Sequence, residues 1–156
     1  ASAHPAITFQ VREHPGYPIP RWQRKSLASF ENVIFSDPAL KPIAEVVAAS
    51  ELVVSVFSTV LLEALAFGVV PLICSIGGLP QYAPDIAGVG AAIEVNSVEG
   101  ARSVIDAVIA DPLMLSPYQE IIRQIAGQYF SMQDAAGTIM SYLFSGGSDP
   151  MQNKII

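Results

Sequence analysis

The chain has 156 residues, of which 51% are hydrophobic and only 14% are charged, and its formal net charge is −6. This length fits one domain and is sufficient to bury a core without disulfides or metals. The negative charge disfavours bulk attraction to nucleic acid, so a nucleic-acid partner is not expected. The charged fraction is below the roughly 25% of an average soluble domain. We therefore expect a sheet that is buried on both faces and a surface that a further domain covers.

A single cysteine, Cys74, excludes an internal disulfide and a multi-cysteine zinc site. It lies in an apolar run, so we interpret it as a small core residue of a protein in a reducing compartment, the cytoplasm. The longest apolar stretch, residues 53–76, is interrupted by polar residues, glycine and proline before it reaches the roughly 18 residues of a membrane helix. No basic segment precedes an apolar core at the start of the chain, so no signal peptide is predicted.

Two strands and two helices are predicted in the first fifty residues. Residues 6–12 and 32–35 are rich in β-branched and aromatic side chains, which is typical of strands. Residues 14–20 contain three prolines and a glycine and predict a loop, which a short helix follows at 21–30. Proline in the first turn marks a second helix at 42–50.

Three apolar strands are predicted next, at 51–56, 69–74 and 91–95. A helix at 59–67 separates the first two, and Gly68 stops it. The hydrophobic period then becomes helical and predicts three C-terminal helices. They cover residues 98–109, where Asp111-Pro112 ends the helix, and residues 118–129 and 135–143.

Strands that are apolar throughout and that alternate with helices predict a doubly wound α/β domain. Its parallel sheet would have about five or six strands with helices on both faces, followed by the C-terminal helices. We place this domain at residues 6–144. Residues 1–5 are interpreted as a linker remnant and residues 145–156 as a flexible tail.

Polar residues and glycines follow four of the predicted strands. Ligands of such sheets bind at the carboxyl ends of the strands, so we expect these loops to meet along one edge. The residues are His14 after the first strand, Ser36 and Asp37 after the second, Ser58 and Thr59 after the third, and Gly77 and Gly78 after the fourth.

Ser58 and Thr59 open a predicted helix, where free backbone N–H groups and the positive end of the helix dipole favour a phosphate. A plain N-cap is the alternative, and this feature alone favours it. Glu63 is the one charge of that apolar helix and is expected to be largely buried, with a partner such as a sugar diol, an arginine or the exposed helix edge. His14 precedes Pro15, which holds it extended, and its imidazole can donate to a phosphate oxygen.

Other features leave two interpretations open. Gly77-Gly78 would let backbone amides approach a ligand closely, or marks only a turn. Four of the eight Lys and Arg residues form either a local anion site or a solvated helix face; they are Arg12, Arg21, Arg24 and Lys25. The sequence has no GxGxxG, no Walker lysine and no paired aspartates, so neither a metal nor a resident cofactor is expected.

Taken together, these segments resemble the GT-B glycosyltransferases. Residues 54–71, from Val-Ser-Val-Phe-Ser-Thr to Phe-Gly-Val-Val-Pro, are similar to the donor-site segment of that superfamily. Gly77-Gly78-Leu79-Pro80 lies where retaining members carry Gly-Gly-x-Pro-Glu, with Gln81 in place of the glutamate. Arg12-Glu13-His14-Pro15 with Ser58-Thr59 resembles the His-Pro and Ser-Ser or Ser-Thr pairs of bacterial capsule sialyltransferases and CDP-glycerol polymerases. Tyr129-Phe130 and Asp134 resemble the end of capsule-polysaccharide enzymes.

The resemblance covers residues 7–143 and implies the nucleotide-binding C-terminal half of a GT-B enzyme. Such an enzyme moves a sugar, without a metal, from a CMP-, CDP- or UDP-linked donor to a surface or capsular polysaccharide or a glycolipid. His14, the catalytic candidate, and Ser58-Thr59 would hold the donor phosphate, Glu63 the ribose, and Ser36-Asp37 the base. Arg12, Gly77 and Gly78 complete the implied donor site. Ser55 stands where retaining members have a second glutamate.

The resemblance also implies a bacterial, cytoplasmic enzyme whose N-terminal domain holds the acceptor and the catalytic base. The isolated chain is therefore expected to be inactive, and the full-length protein is expected to associate peripherally with the membrane. Two alternatives stay open: a UDP-sugar 2-epimerase of the same fold, and a non-catalytic α/β interaction domain that has lost the chemistry.

Overall fold

The computed structural model describes residues 1–14, 16–56, 58–77 and 85–129. The architecture is α/β with parallel strands, as the apolar strand pattern predicts. The chain divides into two compact units, Ala1–Ser50 and Glu51–Ile156. The helix predicted at 135–143 and the tail at 145–156 lie outside the described residues. The assignment of residues 6–144 to one domain stays a prediction.

The first unit contains a two-stranded parallel sheet and two short helices. Its elements in chain order are β1 (Phe9–Arg12), α1 (Arg21–Leu27), β2 (Val33–Ser36) and α2 (Ile43–Ala48). The pairing of β1 with β2 runs from Phe9 opposite Val33 to Arg12 opposite Ser36. The two strands therefore end at the same level, and the chain leaves both of them at one edge.

Asn32 explains why β1 begins at Phe9, three residues after the predicted start. Its side-chain Nδ2 donates to the carbonyl oxygens of Ala1 at 3.2 Å, His4 at 2.8 Å and Ile7 at 2.8 Å. Its own carbonyl accepts from the Phe9 N–H at 2.8 Å. A side chain that engages backbone carbonyls in this way offers them an alternative to the strand ladder. The segment before Phe9 is thereby folded onto Asn32.

The second unit contains a three-stranded parallel sheet in the order β3-β4-β5. Its elements are β3 (Leu52–Ser55), α3 (Val60–Ala66), β4 (Val70–Cys74), β5 (Ile93–Val95), α4 (Val98–Ala110), a 3₁₀ turn (Pro112–Leu115) and α5 (Ser116–Tyr129). Asp111 ends α4 as predicted, and its side-chain Oδ1 accepts from the Leu113 N–H of the following turn at 3.1 Å.

Every residue of β4 is buried, which makes this strand the centre of the core. Leu61 and Leu65 of α3 pack into the same core cluster, and so do Leu115 and Ile122 of the C-terminal helical segment. A strand without a polar position cannot leave either pleat face in water, so parallel neighbours and covering helices accompany it. No helix in the described part of the chain is long and apolar enough to cross a membrane.

Gly68 ends α3 in the left-handed conformation, with φ +70°. Its N–H donates to the Leu65 carbonyl at 3.1 Å, and the Val69 N–H donates to the Ala64 carbonyl at 3.0 Å. This pair of hydrogen bonds is a Schellman motif. Because an L side chain is strained at this φ, glycine here is a requirement of the backbone.

Replacing Gly68 by alanine tests this requirement against a matched control, Gly127→Ala in α5. A Cβ added at either glycine meets no atom of the described residues within 4 Å, so crowding by these residues does not differ between them. We expect Gly68→Ala to lower the free energy of unfolding by about 1–2 kcal/mol, and Gly127→Ala to raise it by about 0.5 kcal/mol. Urea unfolding followed by circular dichroism measures both. Changes of the same sign would contradict the assignment.

Candidate functional site

The first unit brings four predicted site residues to the carboxyl edge of its sheet. Arg12 and Ser36 close β1 and β2 and lie opposite each other in the pairing. His14 and Asp37 follow them in the chain. The prediction that residues after strands share an edge therefore holds within this unit.

A cavity of about 240 Å³ opens at this edge. Ser36 and Asp37 line it together with Glu13, Arg24, Phe35 and Pro38. Its lining thus combines one cation with two carboxylates, a hydroxyl and an aromatic ring. Such a mixed surface suits a ligand that offers several hydrogen bonds and a planar or apolar face.

Arg12 is not part of this cavity, although the resemblance includes it in the donor site. Its Nη1 donates to the Lys41 carbonyl at 2.6 Å, so the guanidinium connects β1 to the segment after β2. A structural role therefore accounts for Arg12.

Arg24, and not Arg12, is the arginine that lines this cavity. Its guanidinium carbon lies 4.3 Å from the centre of the Phe35 ring, and its Nη1 donates to the Glu13 carboxylate. Sequence alone leaves two interpretations of Arg24 open, an anion site and a solvated helix face. The signal that would have decided is the combination of Glu13 at the end of β1 with an aromatic residue in β2, both within reach of α1.

Ser36, one of the residues that line this cavity, carries a hydroxyl without a partner among the described residues. Its Oγ is buried and has no hydrogen-bond partner in the part of the chain that the structure describes. A buried polar group left without a partner costs about 1–3 kcal/mol. Asp37 differs, because its Oδ1 accepts from the Ala39 N–H at 2.8 Å and so forms an Asx turn.

His14 lies exposed in a tight turn beside the same edge. The Tyr17 N–H donates to the His14 carbonyl at 3.0 Å, and the Gly16 N–H donates to the imidazole Nδ1 at 3.0 Å. The two rings pack at 5.3 Å between centroids, with a tilt of 38°. The imidazole is thus held by two neighbours of its own loop.

The second unit brings Ser58, Thr59 and Gly77 to the carboxyl edge of its own sheet. β3 and β4 are neighbours with Ser55 opposite Ile73, and the chain leaves both at this end. Gly77 has φ +83°, and a Cβ added there would meet nothing within 4 Å among the residues that the structure describes. Gly78 lies outside the described residues.

The hydroxyls of Ser58 and Thr59 are both engaged within the first turn of α3. Ser58 Oγ accepts from the Val60 N–H at 3.2 Å, a local bond to the second residue along the chain, whereas the N-cap residue Thr59 makes no side-chain cap hydrogen bond. Thr59 Oγ1 lies 3.4 Å from Glu63 Oε1 and donates to it. Glu63 is partly buried, and its carboxylate takes a donor from its own helix.

Cys74, at the end of β4, is a core residue as predicted, with 8% of its surface exposed. Burial raises the pKa of its thiol. A thiol with a raised pKa stays protonated at neutral pH, which excludes it as a nucleophile there.

A larger and more open cavity, of about 530 Å³, lies along β5. Asp85, Gly88, Glu94 and Tyr118 are among the residues that line it. None of the predicted site residues that the structure describes belongs to it, and the charged side chains of its described lining are both acidic. The Asp85 Oδ1 accepts from the Gly88 N–H at 2.6 Å, and the Glu94 carboxylate accepts from the Ser75 hydroxyl. The described lining of this cavity contains no cation, whereas Arg24 lines the cavity of the first unit, so size alone does not make this cavity the better candidate for a phosphate.

Within the described ranges, no group of three or more His, Cys, Asp and Glu residues lies close enough together to hold a metal ion. A scan of protein-family models finds no match to the chain, and a search of curated proteins finds no relative. Support for a function therefore comes from the geometry of the strand ends and from the resemblance of the motifs.

The packing of Arg24 over Phe35 predicts a cost when its charge is removed. Arg24→Met keeps the apolar stem but loses the ion pair and the cation–π contact, and should destabilise the first unit by about 1 kcal/mol. Arg21→Met, on the same helix α1 and exposed, is the control and should change stability by less than about 0.5 kcal/mol. Urea unfolding followed by the fluorescence of the single tryptophan, Trp22, measures both. Equal effects would show that Arg24 is only a solvated helix residue.

Proposed function

We propose that the chain binds the nucleotide of a nucleotide-activated sugar, as the donor half of a GT-B glycosyltransferase. The observation that carries the proposal is the cavity at the carboxyl ends of β1 and β2, which Ser36 lines; the Ser36 hydroxyl is buried without a partner among the described residues. Ligands of parallel α/β sheets bind at this end of the strands. The motif resemblance supplies the identity of the ligand, which geometry alone does not give.

The proposal assigns a chemical role to every predicted site residue except Arg12. Ser36 and Asp37 meet the hydrogen-bonding edge of the base, and the Phe35 ring suits its planar face. His14 donates to the donor phosphate, and Ser58 and Thr59 hold the phosphate where α3 begins. Glu63 binds the ribose hydroxyls, and the backbone of Gly77 and Gly78 approaches the ligand closely.

Electrostatic stabilisation of the departing nucleotide is the chemistry that this proposal offers. A hydrogen bond to a charged oxygen is roughly twice as strong as one between neutral groups, so a neutral imidazole and helix-start groups suffice to hold a phosphate. We infer that no metal takes part and that the acceptor and its base come from another domain of a bacterial, cytoplasmic protein. The isolated chain would then bind a donor without transferring its sugar.

The proposal also includes a fold assignment that is more specific than α/β with parallel strands. We infer the doubly wound, Rossmann-like architecture of a GT-B half, which parallel strands alternating with helices in both units support.

One observation favours a second candidate, the non-catalytic interaction domain. Ser58 and Thr59 both use their hydroxyls inside the first turn of α3. If these bonds persist in the presence of nucleotide, the Thr59 hydroxyl has no proton left for a phosphate, and Ser58, which only accepts, is the one of the two that can still donate.

Ser36→Ala separates a ligand role from a structural one, because it should act in opposite directions on binding and on stability. Removing the hydroxyl should weaken nucleotide affinity about fivefold. Fold stability should be unchanged or slightly higher, since an unpaired buried polar group is removed. Ser29→Ala is the control, because Ser29 is exposed and its Oγ donates only to the Ser26 carbonyl, at 2.7 Å.

The measurement is a titration of the ¹⁵N-labelled chain with CMP, CDP, UDP and GDP, each in magnesium and in EDTA. We expect amide shifts at His14, Ser36 and Asp37 of the first unit and at Ser58 and Gly77 of the second, with equal affinity in both buffers. Shifts confined to the cavity along β5, or no shifts at saturating nucleotide, would reject the proposed nucleotide site. Loss of affinity in EDTA would reject the metal-free mechanism.

A further inference from the structure

The turn that carries His14 controls its imidazole through the backbone. His14 and Tyr17 close the turn by a backbone hydrogen bond, and the Gly16 N–H between them donates to the imidazole Nδ1 at 3.0 Å. The interaction is local, since donor and acceptor are two residues apart. It therefore forms whenever the turn forms.

This hydrogen bond determines which ring nitrogen carries the proton. A backbone N–H can donate only to a ring nitrogen with a free lone pair, so Nδ1 is unprotonated. In a neutral imidazole the proton is then on Nε2. In the described part of the chain no hydrogen bond involves Nε2, and the His14 side chain is exposed. The ring therefore presents a fixed donor away from its own turn.

Tyr17 restrains the plane of the same ring. Its aromatic ring packs against the imidazole at 5.3 Å and a 38° tilt, although Tyr17 is itself 82% exposed. A large side chain that is exposed but packed against a neighbouring imidazole contributes more to ring orientation than to a core. A Cβ at Gly16 would lie 3.4 Å from the His14 ring, an ordinary van der Waals distance, so alanine at this position is compatible with the arrangement.

We propose that the Gly16 amide is a positioning group that makes His14 an Nε2–H donor for a ligand phosphate and excludes it as a general base. The phosphate part rests on the function proposed above; the tautomer part does not. A histidine acting as a base must accept a proton on a free lone pair. Here Nε2 has none, and protonation of Nδ1 requires the Gly16 N–H to leave.

The first test is a ¹⁵N spectrum of the imidazole in the ligand-free full chain, recorded where the ring is neutral. His4→Asn removes the only other histidine, so the remaining ring signals belong to His14. We expect one tautomer with protonated Nε2 and unprotonated Nδ1. Gly16→Pro, which lacks the N–H, should give the averaged signals of two exchanging tautomers, and Gly16→Ala, which keeps it, should retain one.

The second test distinguishes the roles of the two ring nitrogens. It replaces His14 by each of two amide side chains and compares the variants in titrations with CMP and UDP. Asparagine at position 14 can accept from the Gly16 N–H as an Asx turn does, but it places no donor where Nε2 lies. Glutamine reaches further and places its amide donor near Nε2. We expect His14→Asn to weaken nucleotide binding about tenfold, and His14→Gln to retain most of the affinity.

The outcomes distinguish this inference from the proposed function. Protonated Nδ1 in the wild type, or a single Nε2–H tautomer that survives Gly16→Pro, overturns the positioning role of Gly16. Equal losses in His14→Asn and His14→Gln overturn the donor role. The expected tautomer with no binding of either nucleotide overturns the proposed function and leaves the role of Gly16 standing.

Discussion

Complete burial of β4 is the constraint on which the second unit depends. Its five residues present no polar position on either pleat face, so both faces need cover and both edges need a hydrogen-bonding neighbour. β3 and β5 pair with it in parallel, and helices contribute the rest of the core. Parallel strands all release the chain at the same edge. Burial of this apolar strand thus places Ser58 and Gly77 at the carboxyl edge of the sheet.

The parts of the fold that follow from apolar runs were predictable from sequence. β4 begins one residue after its predicted start because the Val69 N–H belongs to the Schellman motif, and Gly68 stops α3 because only glycine fits its φ without strain. The start of β1 was not predictable. The Asn32 side chain donates to three carbonyls of the segment before β1. A pattern of hydrophobic residues does not indicate such a long-range hydrogen bond.

The candidate site was predictable at the level of strand ends but not of individual side chains. His14, Ser36 and Asp37 were named because they follow strands, and the pairing brings them to one edge. Sequence does not say which arginine faces the cavity. Arg12 is occupied by a backbone carbonyl, whereas Arg24 reaches the cavity through an ion pair and an aromatic ring. The distinction depends on how α1 packs, which is a tertiary effect.

The central claim is that a phosphate is recognised and that the base alone does not account for binding. Calorimetric titration of the chain with CMP and with cytidine, and with UMP and uridine, tests it most directly. The account predicts that at least one nucleotide binds more than tenfold tighter than its nucleoside, since hydrogen bonds to a charged phosphate contribute about 1.5–3 kcal/mol each, and that the difference shrinks at high salt. Equal affinity of nucleotide and nucleoside in both pairs would contradict it.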